Sequence, residues 1–212
     1  VSIQDNAGMI WGAGISAAGW TTVSYTSMTL SRTGVTGFFL LNSTMTAIFN
    51  STAAVNDAFA IGVYLSGASS NTFTNIFSRN PSGASFQFNT GSNYNTISLS
   101  TITGNSGGFG ALNIYGASAN TVTRSYIGDS IGAALNISTN STFNTISFST
   151  LAANNGNFAT LNLTRASSNT ITDSWISNPQ NNAVYLQSQS NGNLFQRSTI
   201  TVNVDFAAFF MS

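Results

Sequence analysis

The 212-residue chain has no cysteine, no histidine, no lysine and no glutamate. Without cysteine there is neither a disulfide nor a thiolate. Without histidine the commonest general base and metal ligand are missing, and a serine–histidine dyad cannot be built. The usual zinc, copper and haem donor sets are absent for the same reason. Charge is scarce: five Arg and five Asp make up 5% of the residues, where an ordinary domain carries about 25%. The net charge is zero, so nothing steers the chain toward nucleic acid or an anionic membrane. Asp5, Asp57, Asp129, Asp173 and Asp205 are scattered along the chain. That spacing argues against a paired-carboxylate glycosidase site and against a calcium cage. No apolar run is long enough for a transmembrane helix. No cofactor is expected.

What is present is a repeat. Asn71, Asn95, Asn120, Asn144, Asn169 and Asn193 recur at steps of 24, 25, 24, 25 and 24 residues. Alternate copies match best: the phrase YNTISLST at Tyr94 returns 49 residues later as FNTISFST at Phe143. The two prolines, Pro81 and Pro179, lie two such double units apart. A fixed period in this range decides the architecture before local propensity does.

Each unit is too short for a helix pair and lacks 3.6-residue periodicity. Instead, short runs of Ile, Val, Phe, Leu and Thr are broken by Asn, Gly and Ser. Within the runs apolar residues alternate, as in Ile97 and Leu99 or Leu112 and Ile114, which is the period of a strand with one face inward. Three short strands and three turns fill about 24 residues. The chain is therefore expected to be all-β, a single parallel β-helix domain of about eight coils over residues 1–212. Residues 71–205 are its regular coils, 1–70 its degenerate amino-terminal coils and 206–212 an end segment.

Three inward columns follow. They are Phe73, Ile97, Val122, Ile146, Ile171 and Phe195; then Phe77, Ile102, Ile127, Leu151, Ile176 and Ile200; then Phe88, Ile114, Ile137, Leu163 and Leu186. The recurring Asn reads as a buried ladder of amides bonding from coil to coil. In the degenerate part Tyr25, Phe49 and Phe73 fall at steps of 24, as do Leu41 and Leu65. Trp11, Ile15 and Trp20 stand where they could close the first coil. Terminal repeats are atypical because they have a neighbour on one side only.

Outward positions offer four readings. Asp173 and Arg197 become neighbours on stacking, a minimal lyase-like pair or a plain salt bridge. A two-wide strip of Thr and Ser, from Thr72 and Thr74 to Thr170 and Thr172, has the form of an ice-binding face or of an ordinary strand face. Tyr64, Tyr94, Tyr115, Tyr126, Trp175 and Tyr185 are candidates for an aromatic row that meets polysaccharide. Five glycosylation-type triplets begin at Asn42, Asn50, Asn136, Asn140 and Asn162.

The phrase Asn-Thr-Ile-x-x-x-x-Ile with a later Gly-x-x-Leu-x-Ile resembles the parallel β-helix repeats of carbohydrate-binding and sugar-hydrolase proteins. That superfamily includes pectate lyases, alginate epimerases and NosD-like periplasmic proteins. The resemblance covers residues 71–205 well and 20–70 weakly. It implies a right-handed helix. Enzymes of this kind carry Asp, His, Arg or Lys constellations in a surface groove, and this chain departs from that pattern, so no catalytic residue is carried over.

The expectation is a non-enzymatic structural protein, secreted or at the cell surface. Its start at Val1 is read as that of a mature chain without its targeting segment. Low charge and abundant small polar and Phe residues suit close packing with copies of itself, head-to-tail and lateral, into a fibre, sheath or surface layer. Trp11, Trp20, Phe206, Phe209, Phe210 and Met211 are the candidate contacts. A cell-surface adhesin or polysaccharide-binding module is the alternative.

Overall fold

The computed structural model describes residues 2–4, 13–16, 19–31, 33–203 and 205–212. Among them there is no helix; every paired strand is parallel to its neighbours, in a solenoid of about eight coils. At about 4.8 Å between stacked strands, the rod is on the order of 40 Å long. A regular coil is built from three strands, as in Thr96–Ser98, Thr101–Gly104 and Gly110–Tyr115. First and second strands belong to one 15-stranded sheet, and third strands to a nine-stranded sheet. In two earlier coils the first and second strands run on without a break, as Ala47–Val55 and Thr72–Arg79.

The first column stands as its periodicity implies: Phe73, Ile97, Val122, Ile146, Ile171 and Phe195 are successive register partners. The third does too, from Phe88 to Leu186. The second holds from Ile102 to Ile200, but Phe77 is not in it. Ser78 is the partner of Ile102, while Phe77 pairs with Thr101 and is 43% exposed. The buried residues on either side of Phe77 are Ile76 and Ser78, and a slip of one residue moves a strand's side chains to the opposite face. The same slip corrects the degenerate coils. Val23 pairs with Ile48 and Ile48 with Phe73, at steps of 25, whereas Phe49 lies beside Thr74. Phe49 faces outward and packs edge-on against Tyr25 at 6.1 Å. Likewise Leu40, not Leu41, is the partner of Leu65.

The asparagine ladder is continuous and buried from Asn71 to Asn169. From Asn95 onward each Oδ1 accepts two bonds from the preceding Asn, one from its backbone N–H and one from its Nδ2. For Asn144 these come from Asn120 at 2.9 and 3.1 Å. Most Nδ2 groups also reach a carbonyl one coil back, as Asn144 does to Ala117 at 3.1 Å. Thr46 holds the ladder position before Asn71, donating its N–H to Asn71 Oδ1 at 2.8 Å. Asn193 is the last member and only half-buried.

A second ladder runs through serine. The N–H groups of Ile76, Ser100, Ser125, Ser149 and Ser174 each donate to the Oγ of the serine in the next coil, at 3.0–3.2 Å. A third carries the double period: Ala68, Ala117 and Ala166 donate backbone N–H bonds to Ser92, Ser141 and Ser190. Alanine and serine therefore alternate from coil to coil, and Ser92, Ser141 and Ser190 are themselves 49 residues apart. Two connections set the 24/25 alternation. From second to third column the step is 12 residues at Ile102–Ile114 but 10 at Ile127–Ile137, and the turn that follows is one residue longer in the second case.

Between first and second strands the chain turns a corner through a left-handed residue. Tyr25, Asn50, Asn75, Leu99, Arg124, Phe148, Asp173 and Arg197 all have φ between 47° and 53°. A second column of such corners precedes the asparagine ladder and includes Trp20, Met45, Tyr94 and Phe143. For an L-residue this conformation costs roughly 1–2 kcal/mol. It persists because the flanking ladders over-determine it. Side chains at these corners project from the rod: Trp20 is 83% exposed and does not cover the core.

Candidate interaction surface

Among the described residues no three His, Cys, Asp or Glu side chains gather as a metal site would need. Asp129 organises a turn. Its carboxylate accepts N–H bonds from Ser106, Ile131 and Gly132, as Asn155 and Asn178 accept turn N–H groups in later coils. Asp57 does similar work, accepting from Gly34 and Phe59, and those bonds lower its pKa. Arg197 and Asp173 form a bidentate ion pair on adjacent coils, Nε to Oδ1 at 2.7 Å and Nη2 to Oδ2 at 2.8 Å. Arg124 does not join them: its guanidinium lies 5.9 Å from the centre of the Phe148 ring.

The two carboxylates respond to pH with opposite signs. Arg197 holds Asp173 down to about 2, from an ordinary value of 3.8. Its contribution is thus present above 3.8 and is lost as pH falls toward 2. Burial pushes Asp129 upward despite its three N–H bonds. That contribution is present below 3.8 and lost as pH rises through the raised value. Urea midpoints measured at stepped pH should show this. Asp173→Asn should flatten the acid limb, and Asp129→Asn, which copies the neighbouring coils, should remove the loss above it. Unchanged limbs would contradict the assignment.

The outward face of the first strands carries the Thr/Ser strip in register. Thr72, Thr96, Thr121, Thr145 and Thr170 make one file; Thr74, Ser98, Thr123, Ser147 and Thr172 make the other. Hydroxyls within the second file bond to each other, Thr74 with Ser98 at 3.1 Å and Ser147 with Thr123 at 3.0 Å. The corner side chains of Tyr94, Leu99, Phe143 and Phe148 flank this strip, and all four are exposed.

The second strands bear a different outward column: Thr52, Phe77, Thr101, Tyr126, Thr150, Trp175 and Thr199 are successive partners. Aromatic and threonine alternate, and the aromatics are each 49 residues apart. Phe77, Tyr126 and Trp175 have nearly the same exposure, 43, 42 and 46%. The Tyr126 ring rests over Gly128, where an added Cβ would stand 2.7 Å from the hydroxyl oxygen. Hollows open beside the rings. One of about 340 Å³ is bounded by Asn75, Phe77, Leu99 and Thr101. Another of about 350 Å³ is bounded by Gly104, Tyr126, Gly128 and Ala152. Sequence reading missed Phe77 as an outward residue, although its 49-residue step to Tyr126 was the available signal.

The remaining candidates separate. Tyr94 and Tyr115 are exposed, while Tyr64 and Tyr185 are half-buried in third-strand contacts with Phe39 and Phe210. The aromatic residues do not form one row. Phe209, Phe210 and Met211 form the strand paired with Val184, Tyr185 and Leu186, and Phe209 meets Phe195 edge-on at 4.7 Å. Phe206 is exposed beside them. Trp11 lies outside the described residues. Among the glycosylation candidates, Asn42 and Asn140 lie at left-handed turns and both are exposed. Asn50 is a half-buried corner whose Oδ1 accepts from Asn75. Asn136 and Asn162 are half-buried partners within third strands.

Parallel strands stacked coil on coil, with amide and hydroxyl ladders inside, define a β-solenoid. Residues 36–200 match the family described as "Right handed beta helix region", and the chain belongs to that family. No curated protein matches it significantly. Solved structures similar in outline include a trypsin-treated variant of QnrB1, a plasmid-mediated fluoroquinolone resistance protein. It is 9% identical with a TM-score of 0.28, over 92% of this chain and 91% of that one. Another is HetL, a pentapeptide repeat protein involved in heterocyst differentiation regulation from the cyanobacterium Nostoc sp. strain PCC 7120. It is 14% identical with a TM-score of 0.24, over 94% and 87%.

Proposed function

We propose that the chain is a non-catalytic structural rod, working outside the cell as a self-associating subunit of a fibre, sheath or surface layer. One observation carries this reading. On a rod of zero net charge, exposed apolar side chains recur every second coil, at the corners Tyr94, Leu99, Phe143 and Phe148 and along the second strands at Phe77, Tyr126 and Trp175. Exposed apolar side chains repeated in register, rather than scattered singly, mark contact surfaces. So little charge leaves nothing to hold copies apart. Sedimentation velocity and negative-stain microscopy over a concentration series at neutral pH test it. Concentration-dependent growth into uniform assemblies is expected, and a monomer that persists at high concentration overturns it.

A second reading is adhesin-like binding of a polysaccharide. It draws on the two-coil repeat of the exposed rings, about 10 Å, which suits stacking on a repeating sugar chain. Retardation of a monomeric rod in polysaccharide-containing gels would favour it over assembly.

A further inference from the structure

We infer that the second-strand face is an intermeshing contact for a second, antiparallel copy of this chain, in which each aromatic of one rod sits opposite a threonine of the other. This rests on the self-association reading and names one lateral contact within it, a pairing on which further contacts would build.

The argument begins with pitch. Phe77, Tyr126 and Trp175 occupy every second coil, with Thr101 and Thr150 between them. At about 4.8 Å per coil the rings stand about 9.6 Å apart. A ring from a partner placed midway lies about 4.8 Å from each, within the roughly 4.5–7 Å range of favourable ring pairs. Only a small β-branched side chain occupies the gap it enters. A ligand of arbitrary period would fall out of step over three repeats, whereas a second copy has the same pitch by construction.

Antiparallel pairing makes this alternation self-complementary. A two-fold axis between Tyr126 and Thr150 sets Tyr126 opposite Thr150, Trp175 opposite Thr101, and Phe77 opposite Thr199. All three rings then meet threonines, and the contact closes as a dimer. The hollows beside Phe77 and Tyr126 lie on this same face, so protrusion and depression belong to one surface. The Tyr126 ring already rests on Gly128, so it has little freedom to lose on docking. The two-fold runs along the strands and keeps their direction, so Arg79, two residues after Phe77, faces Thr201, two residues after Thr199.

The test uses the full chain and sedimentation equilibrium, with circular dichroism confirming the fold of each variant. Thr150→Trp adds exposed apolar surface but fills the central gap. It should weaken dimerisation at least tenfold, as should Trp175→Thr, which removes a ring. Thr22→Trp, on the first-strand face, should change nothing. If Thr150→Trp binds as tightly as the parent or tighter, the intermeshing contact is wrong while self-association stands. If Trp175→Thr leaves the dimer unchanged, the face is wrong. A parent chain that stays monomeric sinks both this inference and the function on which it rests.

Discussion

The expected result for Asn144→Ala is a loss of about 4 kcal/mol of unfolding free energy. The side chain accepts from Asn120 N–H and Asn120 Nδ2 and donates to Ala117 O and Asn169 Oδ1. Truncation strands at least three of these groups in a dry interior, because Asn120, Ala117 and Asn144 are all buried. Each buried polar group left without a partner costs about 1–3 kcal/mol. Asn193→Ala removes similar bonds, to Asn169, Ala166 and Ser190. There the ladder is half-open to solvent, water replaces the lost partners, and about 1 kcal/mol is expected. Urea unfolding of both variants checks the contrast. Equal losses would mean that the ladder's strength does not come from burial.

Phe86→Ala should cost about 4 kcal/mol as well, by a different route. Phe86 is fully buried between Phe73 at 5.1 Å and Phe88 at 5.3 Å, both edge-on. Its removal leaves a void that stacked backbones cannot collapse into, since the ladders above and below fix the coil spacing. The lost ring contacts add to the transfer and cavity terms. Phe148→Ala, at an exposed corner, should change stability by no more than about 0.5 kcal/mol. Calorimetry separates the two, and a small effect at Phe86 would show that the core is looser than its burial implies.

The fold was legible because its two signals repeat. An Asn every 24 or 25 residues and an inward Ile, Val or Phe two positions later are each confirmed by the next coil. Errors fell where the repetition lapses. In Ile76-Phe77-Ser78 the bulky Phe drew the inward assignment, yet the interior takes Ser78. Its hydroxyl donates to Ser85 O and accepts from Ser85 Oγ, 3.0 and 2.8 Å away. Nothing in a serine's sequence context announces that partner seven residues on. In the degenerate coils the outward pair Tyr25 and Phe49 imitated a core column one residue out of phase. The serine ladders escaped notice because serine reads as surface. Their 49-residue recurrence at Ser92, Ser141 and Ser190 was nonetheless present in the sequence. The outward column of the second strands was half legible: Tyr126 and Trp175 stood out, but the threonines between them required the register.

The direction of the hydrogen bonds has a mechanical consequence. Strands lie across the rod, so the backbone bonds between coils, and the amide and hydroxyl ladders with them, point along its length. Tension applied between the two ends would load these bonds in series. They would open like a zip, from an end and one coil at a time, rather than shear together. Each opening would release about 25 residues, or roughly 85 Å of extended chain. A single rod is therefore a compliant element that lengthens in even increments under load. Tensile strength in a bundle of such rods would have to come from the contacts between neighbours.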